Sequence, residues 1–189
     1  MKIFVNGCSF TYGADLENIN DRYSTFLSDD VVNIGRGGQC NDLIVDRSIE
    51  WLENNECDFV VIQFTMNTRF SMWRSGKWIS IRPGKALDKI TKFYYDKIYT
   101  QQLGIRNLWK NVYAMENYLE SRKIPYLFWK IGRANDTYSQ YRKLCKNKDM
   151  LMGDDFWDTN NPDMWTYGVH PTPEGHQVIA NKLKEYIYK

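Results

Sequence analysis

Four short segments of this 189-residue chain hold the residue types that acyl-transfer chemistry needs. Ser9 stands in Gly7-Cys8-Ser9-Phe10-Thr11-Tyr12-Gly13, and Gly38 closes Asn33-Ile34-Gly35-Arg36-Gly37-Gly38. Asn67 ends Thr65-Met66-Asn67, and His170 sits in Gly168-Val169-His170-Pro171-Thr172. A serine hydroxyl is a poor nucleophile until a base takes its proton, and a tetrahedral oxyanion needs donors already in place. Ser9, Gly38 and Asn67 can supply the nucleophile and those donors. Near neutral pH the base must be histidine, and the chain has two, His170 and His176. His170 precedes the final helical segment and can return to the other residues, whereas His176 lies inside that segment and reads as a packed helical residue.

These residues must be brought together by the elements around them. Lys2 to Asn6, Val31 to Ile34, Phe59 to Phe64 and Ile124 to Ile131 are short apolar runs, as strands buried on two faces should be. Helical patterns cover Asn41 to Asn54, a long stretch from about Lys85 to Arg122 with an expected break near Gly104, Thr137 to Lys146, and Pro173 to Ile187. The alternation predicts one α/β domain over 1–189, a central parallel sheet sandwiched between helices. Ligands of such sheets bind at the carboxyl ends of the strands, where Ser9, Gly38 and Asn67 all follow.

The four segments resemble, in order, the sequence blocks of the SGNH (GDSL-like) hydrolases. The resemblance implies a three-layer α/β/α fold of flavodoxin-like kind and a serine esterase that works through an acyl-enzyme without a cofactor. It makes Ser9 the nucleophile and part of the oxyanion hole, Gly38 the oxyanion glycine and Asn67 the oxyanion amide. Val169-His170-Pro171, followed by Gly175-His176, resembles the last block, with His170 as base. An O-acyl ester, an acetyl ester included, on a carbohydrate or a small molecule is the implied substrate. Three positions depart from the pattern: Cys8 stands for the signature Asp, Thr65 for the third-block Gly, and Tyr167 for the Asp three residues before the histidine. Asp163 is the favoured replacement for that carboxylate, with Asp158, Tyr167 or a backbone carbonyl as alternatives.

Other readings attach to the same residues. Ser9 can be a helix N-cap, Cys8 a thiol nucleophile, and the whole chain a non-catalytic binding or structural module, since fold alone does not guarantee activity. Arg69, Trp73 and Tyr167 are candidate substrate contacts, because the segment Phe70 to Trp78 follows Asn67 directly and is rich in aromatic and basic residues. With 25 basic and 23 acidic residues the chain has no global field for nucleic acid or an anionic membrane. Neither a metal site nor a nucleotide cofactor is expected, as the required ligand spacings and Gly-rich motifs are missing. Four irregularly spaced cysteines, with no signal-peptide pattern and no apolar run of membrane-spanning length, predict reduced thiols and a cytoplasmic setting, a host cytoplasm included.

Overall fold

The computed structural model describes residues 1–83, 89–131, 140–146, 151–152, 164 and 170–189. Its strands are β1 (Lys2–Asn6), β2 (Asp30–Asn33), β3 (Phe59–Phe64), β4 (Phe70–Arg74), β5 (Lys77–Ile81), β6 (Tyr126–Lys130) and β7 (Leu151–Met152). The helices are α1 (Ser9–Tyr12), α2 (Asn41–Asn54), α3 (Lys89–Phe93), α4 (Gln101–Arg122), α5 (Gln140–Leu144) and α6 (Pro173–Ile187). Five strands pair in parallel in the order β2-β1-β3-β6-β7. The order in which strands are added reverses between β1 and β3, all strands staying parallel, which opens a crevice at their carboxyl ends.

Alternation along the strands divides the core into two layers. Ile3, Val5, Val61 and Trp129 face Ile179 and Leu183 of α6, while Phe4, Val60, Ile62 and Phe128 face Ile44 and Leu52 of α2 and Leu108, Val112 and Met115 of α4. All of these side chains are buried. The sheet is thus covered on both faces, as the apolar runs predict.

Two expectations are corrected by the structure. The long helical stretch is interrupted before Gly104: a single π-turn covers Tyr94–Ile98, and α4 then begins with Thr100 as N-cap, its hydroxyl accepting from the Leu103 N–H at 3.1 Å. Gly104 lies inside α4, where a β-carbon would come within 2.5 Å of the Asn67 carbonyl oxygen. Its small size lets the helix press against the segment after β3. The second correction is Phe70 to Ile81, to which the sequence reading assigns neither strand nor helix. It is an antiparallel hairpin whose turn residues Ser75 (φ 51°) and Gly76 (φ 75°) both have positive φ, the requirement of a type I′ turn.

Candidate active site

The turn after β1 is built around Gln63 of β3. Gln63 Oε1 accepts from Cys8 N–H (3.3 Å), Thr11 N–H (3.2 Å) and the Thr11 hydroxyl (2.6 Å), and its Nε2 donates to Cys8 Sγ (3.1 Å). Gly7 has to be glycine, because a β-carbon there would collide with Thr11 Oγ1 and stand 2.7 Å from Gln63 Cβ. Cys8 is fully buried with its thiol on Gln63. Burial pushes that thiol up, but the Arg69 charge and the hydrogen bonds it receives hold it below the ordinary cysteine range. Ser9 opens α1 at N1 with Cys8 at the N-cap, so its hydroxyl does not cap the helix, and Ser9 is 7% exposed.

The second turn is laced to the first. Asn33 Nδ2 donates to Thr11 O and Ser24 Oγ, both at 2.7 Å, and Asn33 Oδ1 accepts from Gly35 N–H at 2.8 Å. Arg36 N–H donates to Gly7 O (3.2 Å), and Gln39 Nε2 donates to the same oxygen (2.6 Å). Gly38 (φ 76°) is therefore held beside the Ser9 turn in a backbone conformation that favours glycine. The turn after β3 is fixed by Asn41, which pairs with both backbone groups of Thr65, and by the Tyr95 hydroxyl, which donates to Thr68 O at 2.7 Å. Half-buried Asn67 lies between these anchors, against Gly104.

His170 arrives from the far end of the chain. Thr172 caps α6 by accepting from Gly175 N–H at 3.2 Å, and Pro173 follows at the first helical position, which favours a sharp start. The His170 ring meets Phe10 of α1 edge-on, centroids 5.8 Å apart, and His170 Nδ1 lies 2.7 Å from Asp15 Oδ2. Asp15 reaches it because α1 ends in two left-handed residues, Gly13 (φ 85°) and Asp15 itself (φ 67°), with Ala14 N–H returning to Ser9 O between them. Asp158, Asp163 and Tyr167 lie outside the described residues. No reading of the sequence placed Asp15 at the histidine.

His176 is in the core, as its place in the helix predicts. Its Nδ1 accepts from Tyr23 N–H at 3.1 Å, and its ring stacks on Tyr23. Burial, followed by the neighbouring His170, depresses its pKa from 6.5 to about 4. Between those values the unfolded chain binds a proton that the folded chain refuses, so this contribution to stability is complete above pH 6.5 and lost as pH falls to 4. The loss is on the order of 3 kcal/mol. Urea midpoints measured from pH 4 to 7 should show this limb, and His176→Phe should flatten it; an unchanged slope would remove His176 as its source.

Arg69 Nη1 donates to Gln39 O at 3.3 Å, so its guanidinium reaches the turn that carries Gly38. Trp73 and Trp78 face each other across the hairpin, edge to face with centroids 5.5 Å apart, and Trp73 is 61% exposed. Together with Gly37, Gly38, Asp46 and Arg47 they line a cleft of about 660 Å³. Among the described residues no group of three or more His, Cys, Asp or Glu could hold a metal ion, and no helix is long and apolar enough to cross a membrane.

No protein-family model and no curated protein matches the chain. Solved structures do. A protein assigned to the G-D-S-L lipolytic family of Desulfitobacterium hafniense superposes with a TM-score of 0.62 at 14% identity, covering 97% of this chain and 98% of its own. The esterase EstA of Pseudoalteromonas, inhibited by monoethylphosphonate, gives 0.62 at 11% identity, with 99% and 96% covered. A two-domain esterase active on acetylated mannans, crystallised with mannopentaose, gives 0.60 at 15% identity; this chain is covered to 99% and spans 48% of that one. The chain therefore has the three-layer α/β/α fold of the G-D-S-L hydrolases and esterases.

Proposed function

We propose that the protein is a serine esterase that cleaves O-acyl esters through an acyl-enzyme. His170 Nε2 takes the proton of Ser9 Oγ as that oxygen attacks the ester carbonyl, and the protonated His170 then gives its proton to the departing alcohol. The Ser9 and Gly38 N–H groups and the Asn67 amide hold the oxyanion. Water, deprotonated by His170, releases the acid and restores Ser9. Asp15 takes the place of the missing upstream carboxylate: it accepts a hydrogen bond from Nδ1–H, which fixes the tautomer and leaves Nε2 as the base. The observation that carries this reading is His170 Nδ1 on Asp15 Oδ2 at 2.7 Å, with the His170 ring against Phe10 of the helix that Ser9 opens. A Tyr167 in the family's acid position motivates the binding-module reading; a carboxylate on His170 from another part of the chain favours the enzyme.

A carbohydrate is the proposed alcohol. Paired indole rings with an exposed face offer an apolar platform for a sugar ring, and Asp46 and Arg47 beside them offer hydrogen-bonding groups. This cleft borders Gly38, so a sugar held there presents an acyl group toward the oxyanion donors. The esterase active on acetylated mannans agrees with the choice of substrate class.

A fluorophosphonate probe tests the core of the reading, since it modifies a serine only when a base activates it. Adduct formation mapped to Ser9, abolished in Ser9→Ala, is expected. An adduct on Cys8, or an unlabelled protein that turns over no short-chain aryl ester, would refute it.

A further inference from the structure

Two guanidinium groups bear on consecutive residues of the oxyanion turn. Arg69 Nη1 contacts Gln39 O, and Arg82 lies against Gly38 so closely that its Nη1 and Cζ stand where a β-carbon would be, Cζ 2.6 Å from that point. Arg82 Nε is buried and has no hydrogen-bond partner. Among the described residues neither arginine is in an ion pair, although the ion pairs there include Lys110–Asp42, Arg122–Glu53 and Lys182–Glu185. Arg47, on the other side of the same turn, is satisfied by Gln39 Oε1 at 2.8 Å and has Glu50 near it, and Asp46 is engaged by Trp78 Nε1 at 3.2 Å.

A buried donor without an acceptor is costly, and a guanidinium recovers that cost best from an oxyanion, whose two oxygens match its planar fork. Among the described residues no carboxylate pairs with either arginine. The positive charge also reaches the residue before Ser9, for Arg69 is the strongest favourable influence on the Cys8 thiolate. We infer that Arg69 and Arg82 form a receptor for an anionic group, a carboxylate, sulfate or phosphate, carried by the ester beside its reacting carbonyl. The inference rests on the esterase reading for the word ester, but not for the receptor itself. The glycan platform of Trp73 and Trp78 and this receptor flank the same turn, so an acidic sugar or an acyl group ending in a carboxylate satisfies both.

Matched esters separate the two positions of the charge. Mono-p-nitrophenyl succinate against its methyl ester places the anion on the acyl side, and para-acetoxybenzoate against its methyl ester places it on the alcohol side. The anionic member of at least one pair is expected to be favoured in kcat/KM by about tenfold or more at low salt, with the advantage shrinking as ionic strength rises. That ratio should fall toward one in Arg82→Met and Arg69→Met and stay intermediate in Arg82→Lys, which keeps charge without the fork. Equal rates within both pairs, or a preference that survives both methionine variants, would overturn the receptor. Calorimetric titration of the whole chain with inorganic sulfate gives a readout that needs no turnover. Binding that is lost in Arg82→Met supports the receptor even if Ser9 proves unreactive, and no binding to the native chain, together with equal rates, refutes it while leaving a labelled Ser9 untouched.

Discussion

Exchange of Ser9 for alanine is expected to lower kcat toward p-nitrophenyl acetate by about 10⁴-fold or more, with the melting temperature nearly unchanged. The size follows from the nucleophile and base acting as one unit, so that removal of either leaves only binding and oxyanion stabilisation. Stability should survive because the neighbour of the Ser9 hydroxyl in the structure is Cys8 Sγ at 3.8 Å, and its loss orphans no buried donor. Cys8→Ser is the companion measurement. It keeps an acceptor for Gln63 Nε2, and Gln63 holds the turn by three further bonds to Cys8 N–H and Thr11, so hydrolysis should fall by only a fewfold. A loss in Cys8→Ser comparable to that in Ser9→Ala would transfer the nucleophile to the thiol. Two variants at adjacent residues thus decide between the serine and cysteine readings on one generic ester, whatever the natural substrate.

The parts of this arrangement that depend on local pattern were legible in the sequence. The apolar runs ending in Asn6, Ile34 and Phe64 are β1, β2 and β3, displaced by at most a residue, and Thr172-Pro173 marks the start of α6. β6 is shorter than its run because Lys123 (φ 55°) terminates α4 and Ile124 N–H is spent on Leu119 O; Pro125 and Ile131 still bond to β3 through their backbones. What the sequence hid are contacts between distant segments. Gln63 sits in a run of apolar residues and gives no sign that it anchors the nucleophile turn, and Asn41 looks like an ordinary first helical residue although it fixes the end of β3. Gly104 reads as a helix breaker by propensity, but close approach to Asn67 is its role here, a tertiary demand that overrides local preference. The hairpin does have a local signal, Ser75-Gly76 between two β-prone runs. Asp15 carried none, since its meeting with His170 depends on the left-handed exit from α1 and on where the last loop returns.

Asp15→Asn should lower kcat by orders of magnitude, up to the roughly 10⁴-fold quoted for the aspartate of a serine protease triad. The reason is the proton on the imidazole. An aspartate at 2.7 Å accepts from Nδ1–H, so the neutral ring keeps Nε2 unprotonated and able to receive the Ser9 proton. An asparagine can donate its amide to Nδ1 instead, which places the ring proton on Nε2 and removes the base. KM should change far less than kcat, because Asp15 acts through His170 and does not meet the ester. The pair is partly solvated, with the Asp15 side chain 43% exposed, so its loss should cost at most about 1 kcal/mol of stability. A large fall in kcat at an unchanged melting temperature would therefore be a positioning effect and not unfolding. Asp15→Glu, which keeps the carboxylate on a longer arm, should recover part of the rate, and fluorophosphonate labelling of Ser9 should slow in parallel with kcat across the series. Asp163→Asn is the discriminating control, since it removes the carboxylate that position in the sequence favours. If it costs more than Asp15→Asn, the acid lies in the last loop and the Asp15 contact is a surface ion pair; if the larger loss falls on Asp15, the carboxylate that orients the base comes from the same turn of chain as the nucleophile.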